Sequence, residues 1–322
     1  MNALVTGGTG FVGGHLIDAL LRRGDTVTAL VRTPPKAAAL AERGIKLVAG
    51  SLEDPGSLRA AARGQDVIYH AAGLIAAPNE AGFLAVNRDG TARLAAAAAE
   101  VSAARLVLVS SLAAAGPSSR GGRLLGEETP RPVTAYGRSK LAGDAAMRSG
   151  SLPWTIVRPP AVYGPHDPEM LRVFRAARLG AAPVFGDGAQ ELSLVYGPDL
   201  GEALAAAGHS DQAIGRILYP CHPEVLTSAS VVREIAAALG RRVRVVRLPR
   251  WAADAALAVT SATARLSGRA TILTLDKAKE LFAPAWTCDP APLEAATGWR
   301  AAHDLAAGAR ATASWYRAAG WL

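Results

Sequence analysis

The feature that most constrains this chain is a run of glycines placed directly behind its first apolar segment. Residues 2–7 read as a short buried strand, and Gly7-Gly8-Thr9-Gly10-Phe11-Val12-Gly13 follows, opening a helix near Phe11. A strand that turns on glycine into a helix leaves unpaired backbone N–H groups at the helix start, where an anion is held. Gly7 and Gly10 allow a tight turn and close approach of a phosphate, while Gly13 lets helix and strand pack closely. The spacing points to a pyrophosphate held by Gly7, Thr9, Gly10, Phe11, Val12 and Gly13.

The rhythm set by that unit continues. Apolar segments at 26–32, 45–49, 66–71, 105–111 and 153–158 alternate with alanine-rich helical stretches. Runs such as LVLV at 106–109 are apolar on both faces, as in a parallel sheet covered by helices on either side. The expectation is an α/β fold, a doubly wound parallel Rossmann sheet over 1–160, joined by a late strand near 216–220. A smaller C-terminal substrate lobe is expected over 161–322. Half of the 322 residues are hydrophobic and 19% are charged, so the chain has the composition of a globular core.

Composition also excludes several functions. The net charge is +8, but the arginines are scattered in no run longer than Arg241-Arg242, which argues against a nucleic-acid partner. Cys221 and Cys288 have neither zinc-ligand nor disulfide-framework spacing, so no metal is expected. Met1-Asn2 leads straight into a strand without a signal-peptide pattern, and a cytoplasmic location is expected. The segment 251–266 is apolar and helical but shorter than the roughly 20 residues a bilayer requires, and it carries Asp254 and Arg265. It reads as a buried helix, as a lid over an apolar substrate, or as a membrane-surface contact.

Two further positions carry chemistry. The second strand ends on Arg32, where an acidic residue would bond ribose hydroxyls; a guanidinium instead favours a 2′-phosphate, hence NADP over NAD. At Tyr136-Gly137-Arg138-Ser139-Lys140 a helix places the phenol and the ammonium one turn apart on one face. A phenol near pKa 10 needs a neighbouring positive charge to act as a base at neutral pH, and Lys140 can supply it. Ser110 and Ser111 end the fifth strand at the ligand edge of such a sheet, and Ser111 is taken as the group that bonds the substrate oxygen.

TGGTGFVG at 6–13, YHAAG at 69–73, VN at 86–87, VSS at 109–111, YGRSK at 136–140 and RPPAVYGP at 158–165 together resemble the extended short-chain dehydrogenase/reductase family. The resemblance implies Ser111, Tyr136 and Lys140 as the catalytic group. It implies cofactor contacts at the glycine loop and Arg32, at Ser51 and Leu52, and at Ala71, Ala72, Gly73, Asn87, Tyr136, Lys140, Pro159 and Val162. It also implies a homodimer built from helices at about 81–101 and 134–149. Two departures are informative. Ser51 stands where the family usually has an adenine-contacting Asp, and Leu192 stands where nucleotide-sugar members commonly place a diphosphate-holding Arg.

Leu112-Ala113-Ala114-Ala115 follows the catalytic serine, whereas dehydratases of this family need extra acid/base carboxylates there. The presumed substrate side, Leu112, Ala113, Val162, Met170, Phe174 and Leu192, is apolar and selects an apolar ligand. The character is closest to the hydroxysteroid dehydrogenase and dihydroflavonol reductase branch, so NADPH-dependent reduction of a hydrophobic ketone is expected. The alternatives are a nucleotide-sugar epimerase with tightly bound NAD and a dinucleotide-sensing protein without catalysis.

Overall fold

The computed structural model describes residues 1–267, 271–272 and 274–322. Its strands are β1 (Asn2–Thr6), β2 (Thr26–Val31), β3 (Lys46–Ala49), β4 (Val67–His70), β5 (Leu106–Val109), β6 (Trp154–Val157) and β7 (Ala161–Tyr163). They continue as β8 (Ala181–Phe185), β9 (Glu191–Leu192), β10 (Leu194–Tyr196), β11 (Ile217–Leu218), β12 (Leu226–Thr227), β13 (Arg244–Leu248) and β14 (Ala285–Trp286). Seven strands form one all-parallel sheet in the order β11-β6-β5-β4-β1-β2-β3. This is the doubly wound Rossmann arrangement expected from the sequence.

The apolar runs explain why the sheet is covered twice. Successive strand side chains point to opposite faces. Ala3 and Val5 therefore join Leu16, Leu20 and Leu204 in one cluster, while Leu4 joins Leu58, Leu94 and Met147 in another. Val107 and Val109 pack to the first face, and Leu106 and Leu108 to the second. The helices Phe11–Arg22 and Gly197–His209 pack together on one side; Pro55–Ala62, Asp89–Glu100 and Ala135–Arg148 form the other layer. The strand order reverses between β1 and β4, and the crevice beyond their carboxyl ends is where such sheets bind ligands.

The helix expected over about 81–101 is two helices, Glu80–Asn87 and Asp89–Glu100. The Thr91 hydroxyl donates to the Asn87 carbonyl at 2.7 Å, a back-bond of the kind that bends helices. Beyond residue 160 the chain is divided. The helix Gly197–His209 and β11 return to the large sheet, whereas Met170–Arg178, Ser228–Ala238 and Leu305–Ala318 enclose a separate core around Phe174, Tyr196, Ile235 and Tyr316.

Cys221 and Cys288 are free and buried, the Cys221 thiol donating to the Cys288 carbonyl at 3.3 Å. The expected helix at 251–266 spans Arg250–Ser267 and is a surface helix: Ala253 and Leu257 are buried, Trp251 and Val259 exposed. Asp254 pairs with Arg250 at 3.7 Å, and the side chain of Arg265 lies outside the described residues. No helix among the described residues is long and apolar enough to cross a membrane.

Candidate active site

The glycine loop is a set of backbone-to-backbone contacts. Gly7 has φ +74°, and a Cβ there would stand 2.6 Å from the Ala72 nitrogen; a Cβ on Gly13 would stand 2.2 Å from the Gly7 carbonyl oxygen. Any side chain at either position would push the turn, the first helical turn and the end of β4 apart. The helix Phe11–Arg22 starts at Gly10 with no side-chain cap and no acidic residue in its first turn. Its N–H groups and positive dipole end are thus left for an anion, which fits a dinucleotide pyrophosphate.

Beneath this loop His70 ties the two sides of the crevice together. Its Nδ1 lies 2.7 Å from Thr6 Oγ1 and its Nε2 3.1 Å from Thr91 Oγ1. The Thr91 hydroxyl spends its proton on the Asn87 carbonyl, so it accepts from Nε2–H, and Nδ1 accepts from Thr6. Thr6 Oγ1 in turn accepts from the Ala72 N–H at 3.3 Å. Burial pushes the imidazole down to about 3, with Lys140 adding to the shift, so His70 is neutral. Asn87 is also buried; it accepts from the Leu74 N–H at 2.8 Å and donates to the Leu74 carbonyl and Ser139 Oγ. It braces the loop that continues Ala71, Ala72 and Gly73.

At the far side of the crevice Arg32 is exposed and, among the described residues, has no hydrogen-bond or ion-pair partner. Ser51 accepts from the Glu53 N–H at 3.3 Å, and Leu52 is buried, its carbonyl taking the Arg93 guanidinium at 2.6 Å.

Tyr136, Lys140 and Ser111 meet at the end of β5. Ser111 caps the short helix Leu112–Ala115 by accepting from the Ala113 N–H at 3.1 Å. A Cβ on Gly137 would stand 2.4 Å from the Ala113 carbonyl oxygen, so glycine there is what lets the Tyr136 helix press against the Ser111 turn. Pro159 is buried, and its carbonyl accepts from the Leu112 N–H at 2.9 Å. The Tyr136 phenol is pushed up to about 12 by burial, partly offset by a hydrogen bond from Ser111. The Lys140 ammonium donates to the Val109 carbonyl at 2.7 Å and is pulled down to about 8, again chiefly by burial. In the protein alone the phenol is raised rather than lowered, because burial outweighs the neighbouring groups. Ser110 is buried, with its hydroxyl turned toward Asp144 but short of a full hydrogen bond.

Behind this group lies a buried charge pair that sequence reasoning missed. Arg158 donates from Nε to Asp144 Oδ2 at 3.0 Å and from Nη1 to the Tyr219 hydroxyl at 3.2 Å, and Tyr219 donates to Glu128 at 2.5 Å. Asp144 follows Lys140 by one helical turn on the same face, a signal the sequence does contain. Phe83 was missed as well; its ring centroid lies 5.9 Å from that of Tyr136.

The apolar residues expected at the substrate divide into two groups. Phe174 and Leu112 are core: Phe174 packs edge-on to Tyr316, and Leu112 lies with Tyr219, Cys221 and Cys288. Ala113 is buried beneath Gly137. Val162, Met170 and Leu192 are half-buried. Leu192, on β9, pairs with Leu226 and Trp286 and packs on the lobe core.

Residues 3–218 match the family described as NAD dependent epimerase/dehydratase. The chain belongs to that family. Its members use a nicotinamide dinucleotide, and this chain is an oxidoreductase enzyme of the extended short-chain dehydrogenase/reductase type. Within the NAD dependent epimerase/dehydratase family it is similar to ceramide reductase of Caulobacter vibrioides, 36% identical over 320 residues, covering 99% of this chain and 95% of that one. It is also similar to 2-alkyl-3-oxoalkanoate reductase of Shewanella oneidensis, at 26% identity over 87% of this chain and 77% of that one. UDP-glucuronic acid 4-epimerase of Bacillus cereus, solved with UDP-glucuronic acid and NAD, shares the fold: TM-score 0.80, 19% identity, 99% of this chain and 100% of that one.

Proposed function

We propose that the chain is an NADPH-dependent reductase of a hydrophobic ketone, with Tyr136 as proton donor. The observation that carries this reading is the meeting of Ser111, Tyr136 and Lys140 at the end of β5, with burial holding the phenol protonated. A phenol still protonated at neutral pH is the acid that ketone reduction needs. A bound nicotinamide supplies the hydride. Ser111 holds the substrate oxygen, Tyr136 gives it a proton, and Lys140, still charged at neutral pH, lies one turn from Tyr136 to bond the cofactor ribose.

The substrate class rests on the apolar character of Val162, Met170 and Leu192 and on the names of the relatives, a ceramide reductase and an alkyl-oxoalkanoate reductase. A ketone on a long-chain, ceramide-like lipid suits both. Leu192 offers no charge to a nucleotide diphosphate, so the epimerase reading is the weaker one. NADPH consumption with a keto-lipid is the test, run beside thermal unfolding with UDP-sugars. Turnover of the lipid without protection by the nucleotide sugars supports the reductase; strong protection by a UDP-sugar with no ketone turnover overturns it.

The cofactor preference is assigned to Arg32, which has its guanidinium free for a 2′-phosphate. NADPH is expected to bind more tightly than NADH, and Arg32→Ala to remove most of that difference, about 1.5–3 kcal/mol for a charge-assisted contact. Fluorescence titration of both cofactors checks this; equal affinities in the unsubstituted protein defeat it. We also assign a homodimer, since the outward residues Ala85, Ala92, Ala96 and Ala145 of the paired helices are small enough for close helix approach. A dimeric mass by light scattering is the expected result, and a monomer at micromolar concentration counts against it.

A further inference from the structure

Over the described side chains of residues 251–263, the helix Arg250–Ser267 carries an apolar outer stripe where a surface helix is ordinarily polar. Trp251, Ala255, Val259 and Ala262 recur at helical spacing on one face, and all four are exposed, Trp251 by 75% and Val259 by 63%. Ala253 and Leu257, on the opposite face, are the buried ones. The stripe carries no charge and runs about 16 Å at 1.5 Å per residue, suited to lying in an interface rather than crossing it.

The approach to this helix is strongly basic. Arg241, Arg242, Arg244, Arg247 and Arg250 are all exposed within the eleven residues that end at Trp251. The acids near them are Asp254, 3.7 Å from Arg250, and Asp187, which also feels Arg120. Arg233, Arg244 and Arg247 border a groove of about 750 Å³ along β13. Guanidinium groups beside an exposed tryptophan stripe match lipid phosphates beside acyl chains. A second copy of the chain fits less well, because two-fold pairing through this face would bring two sets of five arginines together.

The stripe also leads to the active site. Ser261 on the same helix accepts from the Leu275 N–H at 3.2 Å, and Leu275 is itself an exposed apolar residue. The next residue, Asp276, accepts from the Ala135 N–H at 2.7 Å, and Glu280 accepts from the Thr134 hydroxyl at 2.6 Å. Thr134 and Ala135 begin the helix that carries Tyr136.

We propose that Arg241–Trp251 and the Trp251/Val259 stripe form a docking surface for an anionic lipid bilayer, which seats the Tyr136 end of the site at the membrane. The proposal concerns the surface and does not depend on which ketone is reduced. Flotation with vesicles of phosphatidylcholine, alone or mixed with phosphatidylglycerol, tests it. Binding to the mixed vesicles is expected to exceed binding to phosphatidylcholine and to weaken in high salt. It should fall about tenfold or more in Trp251→Ser/Val259→Ser and, separately, in Arg244→Gln/Arg247→Gln. An unchanged thermal midpoint in each variant shows that the fold is intact. Failure to bind either vesicle, equal binding to both, or binding that survives both double substitutions overturns the proposal. So does a dimer that dissociates in Trp251→Ser/Val259→Ser without vesicles, since the stripe would then be covered by a second copy.

Discussion

Tyr136→Phe is expected to lower ketone turnover about a hundred- to ten-thousand-fold, the usual contribution of a positioned acid, while leaving cofactor affinity nearly unchanged. The ring and its contact with Phe83 are retained, and only the hydroxyl is lost. The phenol sits near 12 and the Lys140 ammonium near 8 in the protein alone. Between about pH 6 and 7 both therefore hold their protons, and reduction is expected to be flat there. The reverse oxidation needs the phenolate and is expected to rise with pH. Initial rates in both directions, with cofactor titration of the variant, check each point. Full activity in Tyr136→Phe would show that the proton comes from elsewhere.

Arg158→Leu is expected to cost about 3–5 kcal/mol of stability, the penalty for leaving a buried charge without its partner. Arg158 and Asp144 are both almost wholly inaccessible to solvent, with the guanidinium 2.9 Å from the carboxylate. Burial already pushes the Asp144 carboxyl up despite that neighbour. Removing the guanidinium raises it further, so the penalty grows as pH rises through the raised value and shrinks as acid protonates the carboxyl. Asp144→Leu/Arg158→Leu is expected to recover much of the loss, because it removes the buried carboxylate together with the guanidinium. Urea midpoints at two pH values, with the slope checked for constancy, measure this. A loss under about 1 kcal/mol that is independent of pH would show that water reaches the pair.

The parts of the molecule legible in the sequence are those where local pattern and final environment coincide. β1, β4 and β5 are buried on both faces, so their uninterrupted apolar runs announced both strand and sheet type. The glycine loop was legible because its geometry admits no side chain at Gly7 or Gly13. The short strands β7 to β10 and β12 to β14 were not, since two to five residues carry no period and their partners are remote in the chain. Spacing placed Tyr136 and Lys140 on one face but said nothing of how deeply they are buried. That depth raises the phenol, which spacing alone does not reveal. Phe174 read as a pocket residue because apolar side chains look alike in sequence whether they face a ligand or a core. The Arg158–Asp144 pair needed the fold, since its members are 14 residues apart, one within a helix and the other just beyond the next strand.

The protons shared by Thr6, His70 and Thr91 all run one way, from the Ala72 amide to the Asn87 carbonyl. The imidazole cannot exchange tautomers unless both hydroxyls reverse and Thr91 gives up the Asn87 carbonyl. The floor of the crevice is therefore a latch with a fixed polarity. Because burial keeps the imidazole neutral, that polarity does not change across neutral pH.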